Sequence, residues 1–153
     1  MTGGVTWALI PIKGTGGGKS RLAGALSSGQ RQQLVEAMFR HVTAAVAQAR
    51  TVSRTVLVGP VRAGLDESVL LLDEPGDLNT ALGAALARIV GSEYRPDRLI
   101  VVAADLPCVT PLDLDLLASA PHRALAIAPD RHGTGTNALS LPLPEAAGFR
   151  FQY

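Results

Sequence analysis

Short apolar runs alternate along this 153-residue chain with longer stretches in which apolar residues recur every three or four positions. That alternation of period 2 or continuous runs with period 3.6 is what a parallel sheet crossed over by helices requires. Val5 to Ile12, "RTVLVG", "SVLLLD", "RLIVVAA", "ALAIA" and "ALSLPL" are the expected strands. After its Arg98, "RLIVVAA" is a continuous apolar run, which suggests burial on both faces. Between the runs, Leu34, Ala37, Met38, Val42, Ala45, Val46 and Ala49 share one face of a helix expected over Arg31 to Ala49, after a capping box of Ser27 and Gln30. Leu78, Ala81, Leu82, Ala85, Leu86 and Ile89 stripe a second helix capped by Asp77, and Thr110-Pro111 with Asp113 opens a third. The chain reads as one α/β domain with a mostly parallel sheet flanked by helices.

Ligands in such sheets bind beyond the carboxyl ends of strands. Three segments start there. The first is "GTGGGKSRL", residues 14 to 22, after the first strand. It ends like a phosphate loop, but the G-x-x-x-x-G-K-[ST] pattern would need glycine at residue 13, which is Lys13. A phosphate-loop NTPase or kinase would also begin a helix at Lys19. The other reading is a different anion grip, in which Lys13, Lys19 and Arg21 supply cations among glycines that let backbone approach phosphates. A solvated surface loop is the plain alternative. The second segment is "ADLP", where Asp105 either caps a turn or, at a strand end, holds Mg²⁺ against phosphate oxygens. The third is "DRHGTGTN", whose glycines and threonines offer donors to an anion, unless it is simply a tight turn.

Taken together, "WALIPIK…KSRLAGALS", "DLNTAL", "VVAADLP" and above all "APDRHGTGTNAL" resemble the guanylyltransferases of coenzyme F-420 biosynthesis. These join GTP to 2-phospho-L-lactate, phosphoenolpyruvate or 3-phospho-D-glycerate. The resemblance runs from Trp7 to about Tyr153 and implies a Rossmann-like nucleotidyltransferase fold of the nucleotide-diphospho-sugar transferase type. It implies that Lys13, Lys19 and Arg21 hold the GTP phosphates, that Asn79 lies near the guanosine, and that Asp105 binds Mg²⁺. Lys19 and Asp105 are then the catalytic groups, while Gly135 and Thr136 help hold the acceptor. Asp130 and Arg131 share that loop without an assigned role. The family pattern continues past "GFRFQY" with a Gly-and-Ser acceptor loop and another metal-binding Asp, so residues 1–153 are expected to form a single domain lacking that part. A non-catalytic GTP-binding fragment is therefore the third functional reading.

Composition narrows the field. A net charge of +1 without a basic run, and 4% aromatic residues, argue against nucleic-acid binding. No apolar run reaches the roughly 20 residues of a membrane helix, and "MTGGVTWALIPIK" lacks a signal-peptide pattern. One cysteine, Cys108, makes no internal disulfide, which suits the cytoplasm, and it is expected to pack. Three scattered histidines make no zinc pattern. His41 is expected on or against its helix, His122 at a helix end, and His132 in the candidate site; Trp7 is expected in the core. Surplus apolar helix surface leaves room for a homodimer.

Overall fold

The computed structural model describes residues 4–13 and 20–153. Its strands are β1 (Thr6–Pro11), β2 (Val52–Val58), β3 (Val69–Leu72), β4 (Arg98–Val102), β5 (Ala126–Pro129) and β6 (Thr136–Pro142). They form one sheet in the order β3-β2-β1-β4-β6-β5. β1 pairs in parallel with β2 and β4, and β2 with β3, whereas β6 is antiparallel to both β4 and β5. The helices are α1 (Ser28–Gln48), α2 (Leu78–Val90) and α3 (Pro111–Ala118).

Alternation of side chains across the sheet divides the core into two layers. On one face Ala8, Ile10, Leu57, Ile100 and Val102 pack with Phe39, Val42 and Val46 of α1 and Leu114 of α3. On the other, Trp7, Leu9, Val56, Leu99 and Val101 pack with Leu82, Ala85 and Leu86 of α2 and with Phe151. β4 is buried along its whole length, as the apolar run from Leu99 predicts, and Arg98 at its start is buried with it. Trp7 is core, as expected.

The caps fall where the sequence puts them. Ser27 and Gln30 exchange the expected capping box, so α1 begins at Ser28, one turn earlier than its apolar stripe suggests. Asp77 accepts from the Thr80 amide at 2.9 Å, and Thr110 with Asp113 forms a second capping box ahead of Pro111. Cys108 does not pack: it is exposed on the turn after β4, and the half-buried Leu106 and Val109 near it pack against the core instead. No helix among the described residues is long and apolar enough to cross a membrane.

Beyond the Gly-rich loop, Ser20–Leu22 forms one 3-10 turn, and the α-helix starts only at Ser28. A phosphate loop runs directly into an α-helix at its Lys-Ser/Thr pair, so this geometry sets the phosphate-loop reading aside.

Candidate active site

Because β1 and β4 run parallel, their carboxyl ends meet at one rim of the sheet. β6 runs the other way, so its start lies at that same rim: the Ala103 amide donates to the Asn137 carbonyl at 3.0 Å. Lys13 follows β1, Asp105 follows β4, Thr136 opens β6, and Gly135 precedes it. These predicted residues therefore gather along one edge, on neighbouring strands about 4.8 Å apart. Lys13 and Asp105 are exposed, and Thr136 is half-buried. Lys19 lies outside the described residues. Arg21 sits exposed on the 3-10 turn. His41 is not a ligand candidate: its Nε2 lies 2.8 Å from the Val109 carbonyl and so fastens α1 to the loop that carries Asp105.

Next to this row, over β1, β2 and β3, opens a cleft of about 420 Å³. Ile12, Val58, Pro60, Pro75, Leu78 and Ala81 are its apolar walls. Its polar lining is Lys13 with Asp73, Glu74 and Asp77. Glu74 is neutralised by Arg88 at 2.7 Å. The Asp77 carboxylate caps α2, and the Thr80 amide holds its pKa below the usual carboxylate range. Asp73 is exposed and makes no hydrogen bond or ion pair among the described residues. Gly59 forms the floor at φ +148°, and a Cβ there would stand 2.4 Å from the Ile12 carbonyl oxygen. Gly59→Ala should therefore push β1 and β2 apart at the cleft, lowering both the melting temperature and nucleotide affinity. Unchanged values in a thermal melt and a GTP titration would show that the close approach is unimportant.

The structure gives Asn79 a backbone partner. Its Oδ1 accepts from the Tyr153 amide at 2.9 Å and its Nδ2 reaches the Tyr153 carbonyl at 3.5 Å. Both ends of the amide thus hold the segment in which Phe149, Phe151 and Tyr153 make consecutive ring contacts. Asn79 still sits in the first turn of α2 beside the cleft-lining Leu78.

Residues 130–135 connect β5 to β6. Asp130 folds this loop around itself: Oδ1 accepts from the amides of His132 and Thr134, both at 3.0 Å. The Asp130 amide donates to the Gly135 carbonyl at 2.9 Å, and the Gly133 amide donates to the Asp130 carbonyl at 3.1 Å. The amide bonds to its carboxylate, that of Thr134 first, hold the Asp130 carboxyl below its usual pKa range. So amides that the glycine content offers to an external anion are turned inward.

Sequence reasoning missed Asp73, Glu74 and Gly59. Their signal was positional: "GP" and "DEPGD" follow apolar runs at the same rim. A cation site fits the rim only in part. Among the described residues no group of three or more His, Cys, Asp or Glu side chains could enclose a metal. One carboxylate completed by phosphate oxygens and water is nonetheless how Mg²⁺ is commonly held beside a nucleotide.

Known proteins resolve the family. The family described as "Guanylyl transferase CofC like" matches residues 6–153. The chain belongs to it. Phosphoenolpyruvate guanylyltransferase of Sphaerobacter thermophilus is 38% identical over 147 residues, covering 92% of this chain and 70% of that protein. The enzyme of the same name from Chloroflexus aurantiacus is 40% identical, covering 94% and 73%. A 2-phospho-L-lactate guanylyltransferase from Methanothermobacter thermautotrophicus is 33% identical, covering 95% and 66%. This CofC-like chain thus spans roughly two thirds to three quarters of the length of such relatives. Among solved structures, a Desulfovibrio desulfuricans protein assigned to the nucleotide-diphospho-sugar transferases superposes with a TM-score of 0.72 at 17% identity, covering 92% of this chain and 64% of that one. A 4-diphosphocytidyl-2C-methyl-D-erythritol synthase superposes with 0.61 at 15% identity, covering 97% and 80%. The CofC-like chain therefore has the nucleotidyltransferase fold anticipated from its sequence.

Proposed function

We propose that the protein transfers GMP from GTP to a small phosphorylated acid, releasing pyrophosphate, in coenzyme F-420 biosynthesis. The observation that carries this reading is the order of groups along one rim. An apolar cleft with an available acid lies over β3, β2 and β1, Lys13 follows β1, Asp105 follows β4, and Thr136 opens β6. That is the order of base, phosphates and acceptor in an extended nucleotide facing a second substrate.

The cleft suits the base better than the phosphates. Lys13 is accompanied there by Asp73 and Asp77 besides the paired Glu74, and these carboxylates would repel a triphosphate. A carboxylate instead accepts the N1–H and N2–H₂ donors of guanine, and meets an acceptor at N1 of adenine. Asp73 is the acid placed to do this. Asp73→Asn should weaken GTP binding about 10-fold or more and erode the preference over ATP. Retained affinity and retained preference in calorimetry would move the base elsewhere.

In the reaction the acceptor's phosphate oxygen attacks the α-phosphorus of GTP, and the bond from that phosphorus to the bridging oxygen of pyrophosphate breaks. The nucleophile is already anionic, so no general base is required. The barrier is the approach of two anions, and it falls by alignment and by placed positive charge. Lys13 and Arg21 supply charge from the chain, and Lys19 is proposed to join them. A divalent cation, Mg²⁺ in this proposal, would be held by Asp105 and would offset phosphate charge. Thr136 and Gly135 hold the acceptor at the start of β6.

The deciding assay crosses GTP, ATP, CTP and UTP with each of the three acids in Mg²⁺ and reads pyrophosphate. Release that requires GTP and one acid together is expected. GTP binding without turnover would instead support a non-catalytic binder.

A further inference from the structure

The cleft wall that carries Pro60 belongs to the loop between β2 and β3, residues 59–68. Gly59 is fixed at the start of this loop, because its amide donates to the Leu72 carbonyl at 3.0 Å. Beyond it the backbone has little support of its own. Residues 60–65 make no backbone–backbone hydrogen bond among the described residues. Val61 and Ala63 are exposed, and Gly64 turns the chain at φ +76°. A segment of this kind has many conformations open to it unless side chains hold it.

Arg62 supplies that hold. The loop crosses the rim between Pro60 and Arg62: Pro60 lines the cleft together with Leu78 and Ala81 of α2, whereas Arg62 lies on the α1 side of the sheet and is not part of the cleft lining. Its guanidinium carbon stands 4.0 Å from the centroid of the Phe39 ring, a cation–π contact. Its Nη2 donates to Glu36 Oε2, one turn earlier on α1. Glu36 is itself held, because Arg40 Nε donates to its other oxygen at 3.0 Å. The Arg62 hydrogen bond is the first cause of a Glu36 pKa below the usual carboxylate range. An isolated surface ion pair contributes little, but this one joins a network and rests on a ring of the core. Leu65 packs against the same layer three residues later. Across the helix, His41 ties α1 to the loop that carries Asp105, so α1 is fastened to both halves of the rim.

We propose that Arg62 is a positioning residue for nucleotide binding: clamped to Glu36 and Phe39, it holds the Pro60 wall in the place that receives the base. This rests on the reading that puts guanine in the cleft. A wall that is in place only part of the time lowers the apparent affinity by that fraction, and the loss cannot exceed what the clamp itself contributes. One cation–π contact and one networked ion pair set that limit at about 10-fold. Chemistry at the α-phosphorus is untouched once GTP is bound. Folding is little affected as well, since Glu36 keeps Arg40 when Arg62 is removed.

The test measures GTP affinity by calorimetry, with kcat at saturating GTP and a thermal melt beside it. The proteins compared are the native chain, Arg62→Ala, Arg62→Lys, Glu36→Gln, the double variant Arg62→Ala with Glu36→Gln, and Asp73→Asn. Arg62→Ala should raise the Kd for GTP about 3- to 10-fold, with kcat near native and a melting temperature within about 3 °C of native. Arg62→Lys should fall between the two, because an ammonium keeps the charge and loses the flat contact with the ring. Glu36→Gln should raise the Kd less. The double variant should bind GTP no more weakly than Arg62→Ala alone, because both changes open the same clamp. An unchanged Kd in Arg62→Ala overturns the proposal, whether or not turnover is observed. So does a kcat that falls at saturating GTP, and so do losses that add in the double variant, which would mean that Arg62 meets the nucleotide directly. Asp73→Asn separates these results from failure of the reading beneath them. If that variant binds GTP about 10-fold more weakly while Arg62→Ala binds as native, the proposal alone falls. If Asp73→Asn binds as native, or the native chain binds no GTP, the base does not occupy the cleft and both fall together.

Discussion

Asp105→Asn should lower turnover by about 10²–10³-fold with a melting temperature within experimental error of native. The two halves of this expectation have separate origins. Asp105 is exposed, three residues beyond a strand that is fully buried, and the ladder there closes at Ala103 with Asn137. Loss of one charge at that position leaves the core untouched. The side chain keeps its shape and loses its affinity for a hard cation. Turnover and Mg²⁺ titration of the variant, beside a thermal melt, check both halves. Native turnover at all Mg²⁺ concentrations would remove Asp105 from the reaction. A collapsed melt would assign it to folding.

Arg98 gives the largest effect on stability. It opens β4 at the rim opposite the site and is only 6% exposed. No carboxylate meets it among the described residues. Its guanidinium instead donates to the carbonyls of Ala120, Pro121, His122 and Ala124 and to Ser140 Oγ, at 2.8 to 3.2 Å. Burial lowers its basicity, yet it stays charged at any ordinary pH. The carbonyls it meets follow the end of α3, where the helix dipole is negative. Arg98→Met removes every one of these donors and leaves buried acceptors unpaired, at about 1–3 kcal/mol for each that water cannot reach. A loss of about 3 kcal/mol or more is expected, which for a chain of this size lowers Tm by roughly 6–12 °C. A melt within 2 °C of native would show that water replaces the guanidinium without cost.

The architecture was legible because each local signal agreed with the others. Ser27, Asp77 and Thr110 cap the helices that follow them; the stripe of α2 faces the sheet, and that of α1 does so from Met38 onward, whereas Leu34 and Ala37 are exposed. Strand order was not legible. Nothing local to "ALSLPL" says that it inserts between β4 and β5 in the reverse direction, because such pairing is set by tertiary packing. The position of candidate residues was legible where a strand end coincided with an unusual residue, as with Lys13 beyond β1 and Asp105 beyond β4. It was illegible where function depends on which groups are already occupied. The glycines and threonines of residues 130–136 look like open donors, and only coordinates reveal that Asp130 has claimed most of the loop amides. Asn79 is the same case: its amide is committed to the Tyr153 backbone seventy-four residues away. Cys108 and its neighbours Leu106 and Val109 differ in burial because of turn geometry that an apolar count does not register.

The reversed strand also separates the chemistry into units that can vary independently. In the proposed arrangement the nucleotide half draws on the ends of β1, β2 and β3, three segments far apart in sequence. Its acceptor half is proposed to be a hairpin at the margin, contiguous in sequence, with β5 as its outer strand. Exchange of that hairpin between relatives should therefore carry preference for one acid or another along with it, while the choice of nucleotide stays behind.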